Sequence, residues 1–220
     1  MVSIIPSILV NDAEQFRARL RLLEQNHVPT VQLDVADRTF VSAATYADPD
    51  YLDTLQPRVF FEVHLMTTVT TETLKRWQRP WVKKIIVHLE ASPEPGRLLQ
   101  EIIDLKKKTG LALNPETPVE NAKPFLHLTD TLLVMGVTPG RGGQTLLPDT
   151  VARVRQARNL HPHGNVEVDG GVNAATIETL ATAGANLFIV GSALKEINFS
   201  IIYNQLTTIA NAAFKKNQAN

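Results

Sequence analysis

Three residues of the sequence could do chemistry together: Asp34, His64 and Asp169. Each lies at or near the end of a separate short apolar run. Two carboxylates and an imidazole suit a divalent ion of the Zn, Mn or Fe kind. Any one of them is more often an ordinary strand end, because Asp opens turns well. Three of them on separate runs favour a functional site.

A second group consists of glycine-rich turns. Three segments carry them: Thr138–Gln144, Asp169–Gly171 and Val190–Ser192. Glycine lets backbone N–H groups approach an anion closely. Ordinary tight turns are the alternative interpretation, but three such turns in successive positions favour a phosphate site.

Short β-branched runs that alternate with helix-patterned segments must position these residues. The predicted strands are Ile4–Leu9, Val31–Val35, Val59–Met66, Ile85–Leu89, Leu111–Leu113, Leu132–Met135, Val166–Asp169 and Leu187–Val190. Between them, Asp12 with Gln15 predicts a helix start, and Pro148 predicts a first-turn proline. Asn173 and Gly184 are expected to begin and end a further helix.

Eight strand-then-helix units in about 200 to 250 residues are typical of a (β/α)8 TIM barrel. We therefore predict an α/β fold with one such domain over residues 1–220. A doubly wound open sheet is the alternative, although no G-x-G-x-x-G follows the first strand. Side chains two residues apart project to the same side of a strand. Gln32 therefore shares a side with Asp34, Glu62 and Met66 share a side with His64, and Glu167 shares a side with Asp169. Barrel chemistry belongs at the C-terminal strand ends, so these sets could converge.

The composition excludes several classes of protein. The 220 residues include no cysteine, so disulfides, thiol nucleophiles and cysteine-ligated metals are impossible. Lys plus Arg and Asp plus Glu both number 22, which leaves no basic excess for binding nucleic acid. The N-terminus lacks the pattern of a signal peptide, and no apolar run reaches about 18 residues. We expect a soluble cytoplasmic protein without a membrane partner.

Taken in order, the motifs resemble the ribulose-phosphate 3-epimerase family. The resemblance covers about Ile4 to Ser192, most of the chain. Its motifs are Pro6–Leu9, Leu33–Val35, Val63–Met66, Val87–Ala91, Ala112–Pro118, Pro139–Gln144, Glu167–Gly171 and Gly191–Ala193. It implies a barrel of the ribulose-phosphate-binding type. It also implies an isomerase that interconverts D-ribulose 5-phosphate and D-xylulose 5-phosphate at C3.

The resemblance implies roles for individual residues as well. Asp34 and Asp169 would be the catalytic pair, one taking a proton and the other returning one to the opposite face. Together with His64 they would bind a divalent metal ion of the Zn, Mn, Fe or Co class, which stabilises the enediolate. The implied substrate-binding residues are Ser7, His64, Met66, Gly142, Gly143, Gly170, Gly171, Gly191 and Ser192, with Met135 adding to the apolar wall.

The sequence departs from the family around the second strand. The pattern His-x-Asp-Val-Met-Asp-Gly-His reads Gln32-Leu-Asp-Val-Ala36-Asp-Arg38-Thr. Gln32 replaces the first metal histidine, and an amide is a poorer donor, so we expect weaker metal binding or a harder ion. Arg38 and Arg141 add cations, Arg141 where the family usually has an aromatic residue. We hypothesise that they contact a ligand with more negative charge; ordinary solvated arginines are the alternative.

Three functions follow from these observations. The first is epimerisation of ribulose 5-phosphate, and the second is the same chemistry on a related ketose such as a hexulose 6-phosphate. The third is a catalytically impaired sugar-phosphate-binding protein, which Gln32 and Ala36 motivate. The expected partners are a phosphorylated ketose and further copies of the chain in a homo-oligomer.

Overall fold

The eight parallel strands close into a barrel in which each strand pairs with the next and β8 pairs with β1. The computed structural model describes residues 2–218; Met1 and residues 219–220, which the single-domain prediction includes, lie outside the described residues. The strands are β1 (Ser3–Ile8), β2 (Thr30–Ala36), β3 (Phe60–Met66), β4 (Val82–His88), β5 (Lys108–Leu113), β6 (Thr131–Met135), β7 (Asn165–Asp169) and β8 (Leu187–Val190). The barrel prediction is confirmed. The open-sheet alternative is wrong, because Ser3 pairs with Leu187 and closes the sheet.

Helices cover the outside of the barrel. They are α1 (Ala13–Gln25), α2 (Pro49–Leu55), α3 (Thr71–Arg76), α4 (Pro95–Asp104), α5 (Thr150–Leu160), α6 (Ile177–Thr182) and α7 (Phe199–Gln218). Between β5 and β6 a 3-10 segment, Val119–Leu128, takes the place of an α-helix. Pro124 lies inside this segment and lacks a backbone donor, which disfavours a regular α-helix there.

The helix ends test three predictions from the sequence. The Asp12 carboxylate accepts the backbone N–H of Gln15 at 2.8 Å, so this cap is confirmed. The prediction for Pro148 is wrong, because it precedes the N-cap of α5 and lies outside the helix. Asn173 caps a turn rather than the helix: its side chain accepts the N–H of Ala175, and Thr176 is the N-cap of α6.

The barrel interior is divided into polar and apolar parts. Near the N-terminal ends of the strands, the buried Lys84 Nζ lies 2.7 Å from Glu62 and 2.6 Å from Glu167. An apolar cluster fills much of the remainder: Ile5, Ile86, Ala112, Leu133, Met135 and Ile189. The middle of the barrel is therefore a packed core, with one polar-lined pocket at the C-terminal ends of the strands and another at their N-terminal ends.

Candidate active site

Asp34, His64 and Asp169 meet inside the C-terminal end of the barrel. Asp34 and His64 are paired in register on β2 and β3, so the backbone ladder itself brings their side chains together. His64 Nδ1 lies 3.1 Å from Asp34 Oδ1 and 3.4 Å from Asp169 Oδ2. The imidazole is fully buried, whereas the Asp169 side chain is 17% exposed. The three residues predicted to do chemistry thus form one cluster, with Asp169 the most accessible.

The environment of this cluster shifts two pKa values upward. Burial raises the pKa of Asp34 to about 6, and the nearby charge of Asp169 adds to the effect, although His64 and Gln32 oppose it. Burial alone would lower the pKa of His64, but its contacts with Asp169 and Asp34 outweigh this and raise it to about 10. The two carboxylates therefore favour a positive charge between them, which the His64 ring can carry as imidazolium or yield to a bound cation.

Gln32 bridges the two carboxylates. Its Nε2 donates to Asp34 Oδ1 and to Asp169 Oδ2, each at 2.8 Å. Its Oε1 is buried and accepts no hydrogen bond from any described residue. Since the two ends of an amide are exchanged by a half-turn, Gln32 can direct either a donor or an acceptor at the carboxylates.

This donor set fits a divalent ion. One ligand atom each from Asp34, His64 and Asp169 can be chosen so that all lie within 4.8 Å of one another. In tetrahedral zinc sites, bonds of about 2.0–2.1 Å place ligand atoms roughly 3.3 Å apart. The distances of 3.1 and 3.4 Å from His64 Nδ1 to the two carboxylates are close to that spacing. The orphaned Gln32 Oε1 is positioned to supply a fourth ligand after a half-turn.

A cavity of about 790 Å³ opens above the cluster. Asp34 and Asp169 line it, and so does every other predicted site residue except His64: Ser7, Met66, Met135, Gly142, Gly143, Gly170, Gly171, Gly191 and Ser192. His64 lies beneath the carboxylates with no exposed surface, so the structure does not bring it to the cavity surface as a substrate contact. Its position suits a ligand or orienting residue instead.

The glycine turns line the cavity with backbone. Gly170 and Gly171 have φ of 99° and 71°, a conformation that favours glycine. A Cβ on Gly171 would lie 2.6 Å from the Leu146 backbone, so a side chain is excluded there. Among the described residues, no acceptor engages the backbone N–H of Gly171, Ser192 or Ala193. These donors are available to an anion.

The two arginines singled out from the sequence occupy different places. Arg141 lines the cavity, whereas Arg38 is absent from its lining. Arg38 instead adopts φ of 71°, at the position where the family pattern has glycine. A third arginine, which the sequence analysis missed, also lines the cavity: Arg19 donates to the carbonyls of Leu194 at 2.7 Å and Ser7 at 3.3 Å. Arg19 thereby joins the end of β1 to the loop after β8.

The site extends below the surface to two residues for which the sequence analysis proposed no role. His88, on β4, is fully buried, and its Nε2 lies 2.8 Å from Nε2 of His64. Its Nδ1 lies 3.5 Å from Glu90 Oε2. Strand alternation places His88 on the side of Lys84 and Ile86, which is the sequence signal that could have identified it.

Comparison with known proteins gives a consistent match. The profile of the family described as "Ribulose-phosphate 3 epimerase family" matches residues 3–195. A ribulose-phosphate 3-epimerase of Rhodobacter capsulatus is 32% identical over 87% of this chain and 85% of its own length. Ribulose-phosphate 3-epimerase 2 of Cupriavidus necator is 34% identical over 88% of this chain and 84% of its own.

Solved structures support the fold. A 3-hexulose-6-phosphate synthase superposes with a TM-score of 0.66 at 15% identity, over 95% of this chain and 99% of the other. A mutant tryptophan synthase alpha-subunit from Pyrococcus furiosus superposes with a TM-score of 0.65 at 15% identity, over the whole of both chains. Within the described residues, no helix has the length and apolar character needed to cross a membrane.

Proposed function

Because the chain belongs to the ribulose-phosphate 3-epimerase family, we propose that it inverts C3 of a phosphorylated ketose, with ribulose 5-phosphate and xylulose 5-phosphate as the substrate pair. One observation carries the proposal. The carboxylates of Asp34 and Asp169 lie together on the floor of a cavity whose rim is formed by glycine turns. Two acids beside one substrate carbon are what inversion by proton exchange requires.

The proposed reaction moves two protons. One aspartate, as the carboxylate, takes the proton from C3, and the electrons of the broken C–H bond pass into an enediolate. The other aspartate, as the acid, gives its proton to the opposite face of C3 and restores the ketone. The reverse reaction exchanges the two roles.

A proton beside a ketone is only weakly acidic, so the developing negative charge needs a counter-charge. Asp34, His64 and Asp169, with Gln32 as a fourth ligand, would hold a divalent ion of the Zn, Mn, Fe or Co class. When bound, such an ion supplies the positive charge that stabilises the substrate oxygens. The orphaned Gln32 Oε1 supports this assignment.

Backbone donors are proposed to hold the phosphate. Gly170, Gly171, Gly191 and Ser192 would bind it from one side, and Gly142 and Gly143 from the loop after β6. Ser7 would orient the sugar at the end of β1. Met66 and Met135 would supply the apolar wall that limits access of water to the enediolate.

The test follows deuterium at C3 of ribulose 5-phosphate in D2O, with metal-replete protein and with hexulose 6-phosphate in parallel. We expect deuterium exchange at C3 in one of the two sugar phosphates and not in the other. The exchange rate should fall by about 10²- to 10⁴-fold in Asp34→Asn and in Asp169→Asn. Asp104→Asn, an exposed residue on α4, is the matched control and should retain the wild-type rate. Tight phosphate-ligand binding without exchange would refute the epimerase and favour the sugar-phosphate-binding alternative that Gln32 motivates.

A further inference from the structure

We propose that His88 and Glu90 are positioning residues that fix the ring orientation and tautomer of His64, so that its Nδ1 lone pair is kept for a cation between Asp34 and Asp169. The catalytic consequence rests on the proposed function. The hydrogen-bond arrangement itself does not.

The two imidazoles meet through their Nε2 atoms. His64 and His88 are both fully buried, and their Nε2 atoms face each other at 2.8 Å. The rings are nearly coplanar, at 17°, with centroids 5.0 Å apart. Coplanar rings whose nitrogens are the closest atoms meet edge to edge, which is the arrangement of an N–H···N hydrogen bond rather than of stacking.

The contact of His88 with Glu90 decides which of the two Nε2 atoms carries the proton. The two Nε2 atoms are 2.8 Å apart with room for a single proton between them, so one of them donates and the other accepts. The Glu90 carboxylate accepts from the Asn114 backbone N–H and the Thr117 hydroxyl, and these contacts lower its pKa despite partial burial. A carboxylate only accepts, so the proton of His88 belongs on Nδ1, facing Glu90 Oε2 at 3.5 Å. Nε2 of His88 is then the acceptor.

The acceptor nitrogen of His88 fixes the position of the proton on His64. Since His88 Nε2 accepts, His64 Nε2 must carry a proton and donate it. In the neutral ring the other nitrogen, Nδ1, is then unprotonated, and it points at Asp34 and Asp169. That is the form of imidazole that binds a metal ion. When His64 carries protons on both nitrogens, its Nε2 still donates to His88. The neutral and the doubly protonated ring therefore make the same contact.

The surroundings hold this chain of contacts in place. The Glu90 carboxylate is itself fixed, because its Oε1 accepts the Asn114 N–H at 2.8 Å and the Thr117 hydroxyl. The ring of Phe40 covers His88, with centroids 4.9 Å apart. Neither His88 nor Glu90 lines the substrate cavity, so any effect on activity must act through His64.

The experiment compares His88→Phe and Glu90→Gln with wild type. Glu116→Gln removes the same charge from an exposed position in the loop after β5 and is the matched control. Nitrogen-15 NMR of the metal-free protein reads the protonated nitrogens of His64 and His88. Calorimetric titration with Zn²⁺ measures metal affinity, and steady-state kinetics separates kcat from KM.

We expect wild-type spectra to show a proton on His64 Nε2 and an acceptor Nε2 on His88, with the His64 signature changed in both variants. Zn²⁺ affinity should fall by about tenfold in Glu90→Gln and toward a hundredfold in His88→Phe. The kcat should fall with KM unchanged, and Glu116→Gln should match wild type in every measurement. An unprotonated His64 Nε2 in wild type, or His64 spectra that both variants leave unaltered, would overturn the proposal whether or not the protein epimerises ribulose 5-phosphate. If Glu90→Gln alone folds, its spectra and affinity decide the question.

Discussion

Replacing Gln32 by histidine should tighten metal binding, by an amount that follows from the hydrogen bonds of Gln32. In the metal-free site, Nε2 of Gln32 donates to both carboxylates at 2.8 Å, and an arriving ion must displace both contacts. Hydrogen bonds to charged groups contribute about 1.5–3 kcal/mol each. A neutral imidazole can direct only one N–H at the carboxylates, so one such contact no longer opposes the ion.

Losing one competing hydrogen bond is equivalent to roughly a ten- to hundredfold gain in affinity. Imidazole is also the better donor to a transition metal, so about tenfold is the lower bound we expect. The same change should lower the free energy of unfolding of the metal-free protein by about 1.5–3 kcal/mol, because the carboxylates lose a donor. Metal affinity and metal-free stability should therefore change in opposite directions.

Two assays measure this pair of effects: calorimetric titration of chelator-treated protein with Zn²⁺, and urea unfolding in the presence of chelator. Gln100→His places a new histidine on the exposed face of α4 and controls for incidental binding of Zn²⁺. Affinity equal to or weaker than wild type in Gln32→His would refute the reasoning. Tighter binding with unchanged metal-free stability would show that the bridging hydrogen bonds contribute little.

Three further predictions concern other parts of the molecule. Arg38→Gly should raise the free energy of unfolding, measured in urea, by about 0.5–1 kcal/mol. The left-handed backbone costs arginine about 1–2 kcal/mol, and glycine avoids this cost but loses more conformational entropy on folding. A less stable variant would contradict this prediction. Lys84→Met should lower the free energy of unfolding by about 3–5 kcal/mol, because Glu62 and Glu167 lose their buried counter-charge. Thermal or urea unfolding measures this, and a loss below about 1 kcal/mol would contradict it. Arg141→Ala should weaken binding of a sugar bisphosphate more than that of a monophosphate, measured by competition calorimetry; equal losses would remove the idea that Arg141 selects for charge.

The sequence predicts the barrel well because its information is local. Each strand is an apolar run of the right length, and strand alternation puts Gln32 and Asp34 on one side of β2. The closing pair of β1 and β8 is not local, so the open sheet could be rejected only from the pairing of Ser3 with Leu187. Pro148 was misplaced for a related reason: a proline pattern fixes a helix start only to within a residue or two.

The site was harder to predict where a residue acts on a neighbour from another strand. The role of Gln32 appeared in the sequence only as a missing histidine, whereas the structure shows an amide bridging two carboxylates. Lys84 lies just outside the predicted fourth strand, which begins at Ile85, and only the structure brings its two glutamate partners to it. His88 has the right alternation, but its contact with His64 depends on how β3 and β4 pack, which no local pattern encodes.

The loop after β6 offers a separate opportunity, because it contains a cavity-lining position that packing leaves free. No heavy atom lies within 4 Å of where a Cβ on Gly142 would stand, and its φ is not in the left-handed region. At Gly171, by contrast, a Cβ would meet the Leu146 backbone at 2.6 Å. Randomised libraries aimed at new sugar phosphates should therefore vary position 142 and keep 171 fixed, since substrate range can be altered there without disturbing the strands that carry the acids.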